Sequence, residues 1–209
     1  VVTKERVWKG KQEVKDLLLD FIATEPNEKK DTIMEVSVWK ALFRKKVFDE
    51  YDISFVSERQ FISEDVIFDI DYLSKCNCVV AIPEPVYFYC VNPNSLSKVF
   101  RTDRFNKVKK LYKEILKKLI PIYGEELSNR RGDRFLIARA RTNARQIIRH
   151  EKIIGKNKMM KALHNICEDQ DMNEIFQRYP IHLLPLKYRL VAYLMKYRCY
   201  HLLKIILGR

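Results

Sequence analysis

Glycine and proline are scarce, 5 and 7 in 209 residues. Together with 47% hydrophobic residues, this excludes collagen-like, low-complexity and disordered chains. So few glycines leave no Gly-rich phosphate loop and no Gly-x-Ser-x-Gly elbow, which removes P-loop and serine-hydrolase chemistry. No apolar run approaches the roughly 18 residues of a spanning helix, and no secretory leader opens the chain. The five cysteines, Cys76, Cys78, Cys90, Cys167 and Cys199, are odd in number and scattered. They predict ordinary small hydrophobes in a reducing, cytoplasmic compartment, not a disulfide framework. Cys76-Asn77-Cys78 lacks the second Cys or His pair of a zinc site, and His150, His164, His182 and His201 share no helical face. No metal ligands are therefore assigned.

Positive charge is abundant but uneven. The chain carries 40 Lys plus Arg against 27 Asp plus Glu, a net charge of +13. Residues 1–100 are net −3, 101–160 net +12 and 161–209 net +4. A surplus of this kind favours anionic partners and is silent about fold.

Val14, Leu17, Leu18, Phe21 and Ile22 form one apolar stripe, which predicts a helix from Lys11 to Thr24. Pro26 and the charged run Glu25–Asp31 then predict a solvated loop. Val36, Val38 and Trp39 predict an extended segment over Met34–Phe43. A helical turn follows at Val47–Tyr51 and another extended piece at Phe55-Val56. Ser63 is the expected N-cap of a helix carrying Val66, Ile67, Ile70 and Leu73. Cys78–Ile82 and Val86–Val91 read as strands. From Asp103 onward the pattern is helical, with breaks expected near Pro121, Gly124, Gly132, Gly155, Pro180 and Pro185. The expected architecture is α/β, a mixed sheet with flanking helices followed by a mostly α-helical extension.

The sharpest constellation is Ser63-Glu64-Asp65. A carboxylate where an extended stretch turns into a helix stands where open α/β folds collect ligands, and it can act as a general base. The helix dipole also favours an acidic residue there with no catalytic task. Asp69-Ile70-Asp71 imitates a metal-binding Asp-x-Asp. On a helix the two side chains diverge by about 200°, so the pair is expected on solvated polar faces and not on one ion. Arg141, Arg145 and Arg149, extended by Lys152 and Lys156, form a basic stripe suited either to headgroup or lipid-diphosphate phosphates or to plain solvation. Leu183–Leu207 is apolar but carries Lys187, Arg189, Lys196, Arg198 and Lys204 on opposing sides. Packing is the expectation there, with interfacial docking as the other reading.

Read in order, Val36-Ser37-Val38-Trp39-Lys40-Ala41-Leu42-Phe43, Ile53-Ser54-Phe55, Ile62-Ser63-Glu64-Asp65, Tyr87-Phe88-Tyr89 and Asn94-Ser95-Leu96-Ser97 resemble the second half of a family 2 glycosyltransferase of the bacterial surface-polysaccharide type. The resemblance covers roughly residues 1–115 and leaves 116–209 as a basic helical region. Cys90 and Asn92 stand where the family often has Arg and His. The resemblance implies a GT-A type fold and inverting transfer of a sugar from a nucleotide-diphospho-sugar to a glycan or lipid-linked acceptor. It also implies Asp65 as catalytic base, Glu64 as acceptor-positioning neighbour and Trp39 as an aromatic of the acceptor cleft. A plain core role for Trp39 stays open. The family's nucleotide-binding half, with the ligands of a divalent metal (Mg or Mn), would precede Val1, and 1–209 alone is expected to be inactive. The implied setting is the inner face of the plasma membrane, with peripheral contact to anionic lipid. A basic nucleic-acid-binding module and a non-enzymatic assembly subunit are the competing readings. The aromatic residues form no stacking platform with interleaved Arg, which weighs against nucleic acid.

Overall fold

The computed structural model describes residues 3–34, 37–88, 90, 101 and 103–208. Its sheet pairs β1 (Arg6–Lys9) with β2 (Cys78–Ala81), antiparallel, Arg6 opposite Ala81 and Lys9 opposite Cys78. Gly10, at φ +87°, lets the chain leave β1 directly into α1 (Lys11–Ile22) while its N–H donates to the Asn77 carbonyl at 2.8 Å. Glu13 closes the first turn by accepting from the Lys9 N–H at 2.8 Å. The predicted stripe of α1 is inward, with Val14, Leu17, Leu18, Leu19 and Ile22 buried. Each such burial contributes roughly 1.5–3 kcal/mol.

Two shorter helices follow, α2 (Lys45–Tyr51) and α3 (Asp65–Leu73). The scaffold is a long hairpin of α4 (Arg104–Tyr123) and α5 (Glu125–Arg149), turned at Gly124 with φ +77°. The rest of the chain wraps α5 with α6 (Glu151–Ile154), α7 (Lys156–Cys167), α8 (Gln170–Arg178), α9 (Leu186–Lys196) and α10 (Tyr200–Gly208). One hydrophobic cluster runs from Trp8 to Leu207, and residue 115, where a division was expected, lies inside α4.

The described residues are thus mostly helical with a single two-stranded antiparallel sheet, so helices and strands are both present and the expected helical extension is there, but the sheet is much smaller than the mixed sheet expected. Val38–Lys40 is a 3-10 turn and Ser37 to Phe43 otherwise lacks regular structure. β-branched and aromatic residues favour a strand only where a neighbouring edge is available to pair with. Here the segment packs by its rings instead. Phe43 meets Phe68 and Tyr72 edge-on at 5.0 and 4.9 Å, and the Arg44 N–H donates to the Tyr72 hydroxyl at 2.6 Å. Val86–Phe88 is not a strand either, while Val36, Tyr89 and the Asn94–Ser97 motif lie outside the described residues.

Pro121 sits in the last turn of α4, and the helix ends two residues beyond it at Tyr123, near where a break was expected. Its ring removes the N–H that would otherwise bond the Lys117 carbonyl. The break expected near Gly132 is absent. Gly132 lies within α5 because the hairpin closes tightly there: a Cβ at that position would stand 2.6 Å from Leu116 Cδ2 and 3.2 Å from Tyr112 Cε2.

Candidate active site at the start of the third helix

Ser63 does not cap α3. It takes φ +61°, and the helix begins at Asp65 with Glu64 as the flanking residue and no side-chain cap bond. The left-handed turn at Ser63 carries the backbone around the corner and leaves Glu64 and Asp65 side by side, both partly buried. Burial, with the charges of Asp65 and Glu58 beside it, pushes the Glu64 carboxyl above its ordinary value.

One turn further along lies Asp69, the residue that sequence reasoning placed on a solvated face. It is 5% exposed, and its Oδ2 is buried with no hydrogen-bond partner among the described residues. Most of α3 is buried, with Val66, Ile67, Phe68, Ile70, Tyr72 and Leu73 all withdrawn from water, and Asp69 shares that burial while Asp65 and Asp71 stay partly exposed. Burial, reinforced by the Asp65 charge and partly offset by Lys40, raises the Asp69 carboxyl from 3.8 to about 7. The spacing of four that puts Asp65 and Asp69 on one helix face was visible in the sequence; the hydrophobic depth was not. Asp71 diverges as expected and takes Lys118 at 2.7 and 2.9 Å. Among the described residues no group of three His, Cys, Asp or Glu is placed to hold a metal.

An aromatic wall flanks this corner. Trp39 is 44% exposed, with its ring 4.8 Å from that of Tyr87. Phe55, also half-exposed, stacks on Phe68 of α3 at 4.2 Å. Trp39 is thus neither a core aromatic nor a strand residue. Lys40, next to it, is close enough for its charge to act on Asp69.

Much of the basic surplus is used inside the molecule. The Glu25–Asp31 run is not merely solvated: Arg130 and Arg131 of α5 both reach Glu25 at 3.1 Å, and Arg131 also donates to the Ala23 carbonyl at 2.6 Å. Arg134, 1% exposed, reaches Asp31 at 3.2 Å, and Arg141 binds the same carboxylate while lying over the Tyr188 ring at 3.9 Å. The expected Arg141–Lys156 stripe is therefore divided. Arg141 is committed to Asp31, and the helix is interrupted after Arg149 and again at Gly155, leaving Arg145, Arg149, Lys152 and Lys156 exposed.

Two cavities, of about 60 and about 300 Å³, lie against α5, and neither is lined by Asp65, Glu64 or Trp39. At the corner itself Glu64 and Asp65 are partly exposed. No described helix is long and apolar enough to cross a membrane. A scan against protein-family models and searches of the curated proteins and the solved structures find no match.

Proposed function

We propose that the chain is the acceptor-side part of a family 2 glycosyltransferase with a GT-A type domain, acting in surface-polysaccharide synthesis. One observation supports it most: the partly exposed Asp65 stands one helical turn from a buried Asp69 whose Oδ2 has no hydrogen-bond partner among the described residues and whose carboxyl is raised to about 7. Pairs of carboxyl groups driven apart by their surroundings are what acid–base chemistry at neutral pH uses. Asp65 removes the proton from the acceptor hydroxyl as that oxygen attacks the anomeric carbon of the donor, and the bond from that carbon to the diphosphate oxygen breaks, so that the nucleoside diphosphate leaves with the bonding electron pair. Burial favours the protonated form of Asp69, which limits the negative charge at the corner. Glu64 orients the acceptor, and the exposed faces of Trp39 and Tyr87 offer a sugar a surface to stack on.

Asp69 and Asp71 diverge, so this chain's residues do not fit the divalent metal that the family implies. The metal and the nucleotide-diphospho-sugar belong to the nucleotide-binding half that the resemblance places upstream. Exposed Leu186, Leu190, Leu202 and Ile205 beside Lys187 and Arg198 support peripheral contact of α9 and α10 with the anionic inner face of a membrane.

The test joins residues 1–209 to that upstream half and follows turnover of a uridine diphosphate-sugar. Asp65→Asn is expected to reduce turnover by roughly 10²–10⁴-fold with an unchanged circular dichroism spectrum. Undiminished turnover overturns the role of Asp65.

A further inference from the structure

The larger cavity lies between the end of α1, the segment that follows it and one face of α5, with Phe135, Arg139 and Thr142 on the α5 side. At about 300 Å³ it reaches the lower end of the range for small-molecule sites. Its wall combines the Phe135 ring with the hydroxyls of Thr32, Ser37 and Thr142. Thr142 donates to the Ala138 carbonyl at 3.0 Å, so its oxygen can only accept further, whereas Thr32 and Ser37 make no hydrogen bond with their hydroxyls among the described residues.

The electrostatics of the cavity are one-sided. Among the described residues Asp31 is its single lining carboxylate, and Arg134 and Arg141 already hold it. Arg139, partly buried over the Phe135 ring at 5.1 Å, has no ion-pair partner among the described residues. Three guanidinium groups thus face one carboxylate, a local surplus of two positive charges. Arg104 adds to it from α4, where it lines the smaller cavity together with Arg101. Burial and the Arg104 charge both work against the cationic form of Arg139. A guanidinium withdrawn from water without a counter-charge is costly, and a dianion in the cavity relieves that cost. The planar fork of arginine suits the oxygens of a phosphate, and the hydroxyls beside it supply further donors.

We infer that this cavity is a binding site for a small organic phosphate, with the phosphate on Arg139 and the body of the ligand against Phe135. The site is separate from the Asp65 corner and does not depend on the glycosyltransferase reading.

Titration calorimetry of the full chain with phenyl phosphate, inorganic phosphate and phenol tests it. Phenyl phosphate is expected to bind saturably with one-to-one stoichiometry, inorganic phosphate at least 5-fold more weakly and phenol not at all, on the order expected when charge and apolar surface both contribute. Arg139→Gln should weaken phenyl phosphate at least 10-fold, whereas Arg145→Gln on the exposed part of α5 should change it less than 2-fold, which separates a built site from general attraction to a chain of high positive charge. Arg139→Lys, which keeps the charge, guards against misfolding of the Gln variant and should retain intermediate affinity. Absence of saturable phenyl phosphate binding, or equal weakening by Arg139→Gln and Arg145→Gln, overturns the proposal.

Discussion

The junction of α4, α5 and α8 and the corner at α3 each bury an aspartate, and they treat it in opposite ways. Asp133 is 2% exposed and Asp69 5%. Asp133 receives Arg178 through two bonds of 2.7 Å and the Tyr112 hydroxyl at 2.8 Å, while Arg178 also donates to that hydroxyl at 3.0 Å. Asp69 keeps a buried oxygen without a hydrogen-bond partner among the described residues. Two carboxylates of similar depth therefore differ in everything that decides whether burial is tolerable: the bidentate cation, the neutral donor, the closed network. The first clamps three helices together. The second costs stability, because burial of its carboxyl is not repaid by bonds to the buried oxygen, and a strongly perturbed, unsatisfied group of this kind marks a candidate site.

The strongest way to break this contrast is to remove the cation from the satisfied aspartate. Arg178→Ala leaves Asp133 buried and uncompensated and is expected to cost about 3–5 kcal/mol in urea unfolding. A loss below ~1 kcal/mol would mean that the network is not what holds α8 in place. The complementary change sharpens the contrast from the other side. Below about pH 4, Asp69 is protonated in both folded and unfolded chains; between there and about 7 the unfolded chain releases the proton that the folded chain retains, so stability falls as pH rises and then levels off. Asp69→Asn should abolish that slope and make the protein more stable than the parent at pH 8 by roughly 2–3 kcal/mol. An unchanged slope between pH 4 and 7 would show that Asp69 is not the group responsible.

The same contrast explains what could be read before any coordinates. Helical periodicity identified α1 by Val14, Leu17, Leu18 and Ile22, and α3 by Val66, Ile67, Ile70 and Leu73, because a stripe three and four residues apart depends only on local geometry. Cys78–Ala81 was legible as a strand, but its partner Arg6–Lys9, with only Val7 and Trp8 apolar, carried no alternating run long enough to notice. Val38 and Trp39 misled for the reverse reason: strand-favouring residues with no edge to join. At the site, Glu64 and Asp65 are legible as neighbours at a helix start, whereas the divergence of Asp69 and Asp71 predicts solvated faces for both, and the burial of Asp69 arises on a helix packed by contacts such as Phe43 with Phe68 and Tyr72, 25 or more residues apart in the chain. The clamp of Tyr112, Asp133 and Arg178 was invisible, since nothing along the chain distinguishes those charges from the many others in a basic segment. The charge of −3 over residues 1–100 and +12 over 101–160 is silent about fold by itself, and only the structure shows Glu25 and Asp31 drawn onto α5.

That attraction leads to the smallest effect. Glu25 is held by Arg130 and Arg131 at 3.1 Å each, but its side chain is 34% exposed and that of Arg130 41%, so water and salt reach the cluster. Partly exposed pairs of this kind are worth about 1 kcal/mol at most, and much of that disappears when the Debye length shrinks to roughly 3 Å in 1 M salt. Glu25→Gln is therefore expected to lower stability by ~1 kcal/mol in dilute buffer and by less than half of that in 1 M sodium chloride, with urea unfolding as the measure in both. Repeating the change in an Arg131→Gln background should give a smaller loss still, since one of the two cations is already gone. If the loss instead exceeds ~2 kcal/mol and ignores salt, Glu25 belongs with Asp133 among the sealed carboxylates, and the loop is held to α5 by a buried clamp instead of a screened one.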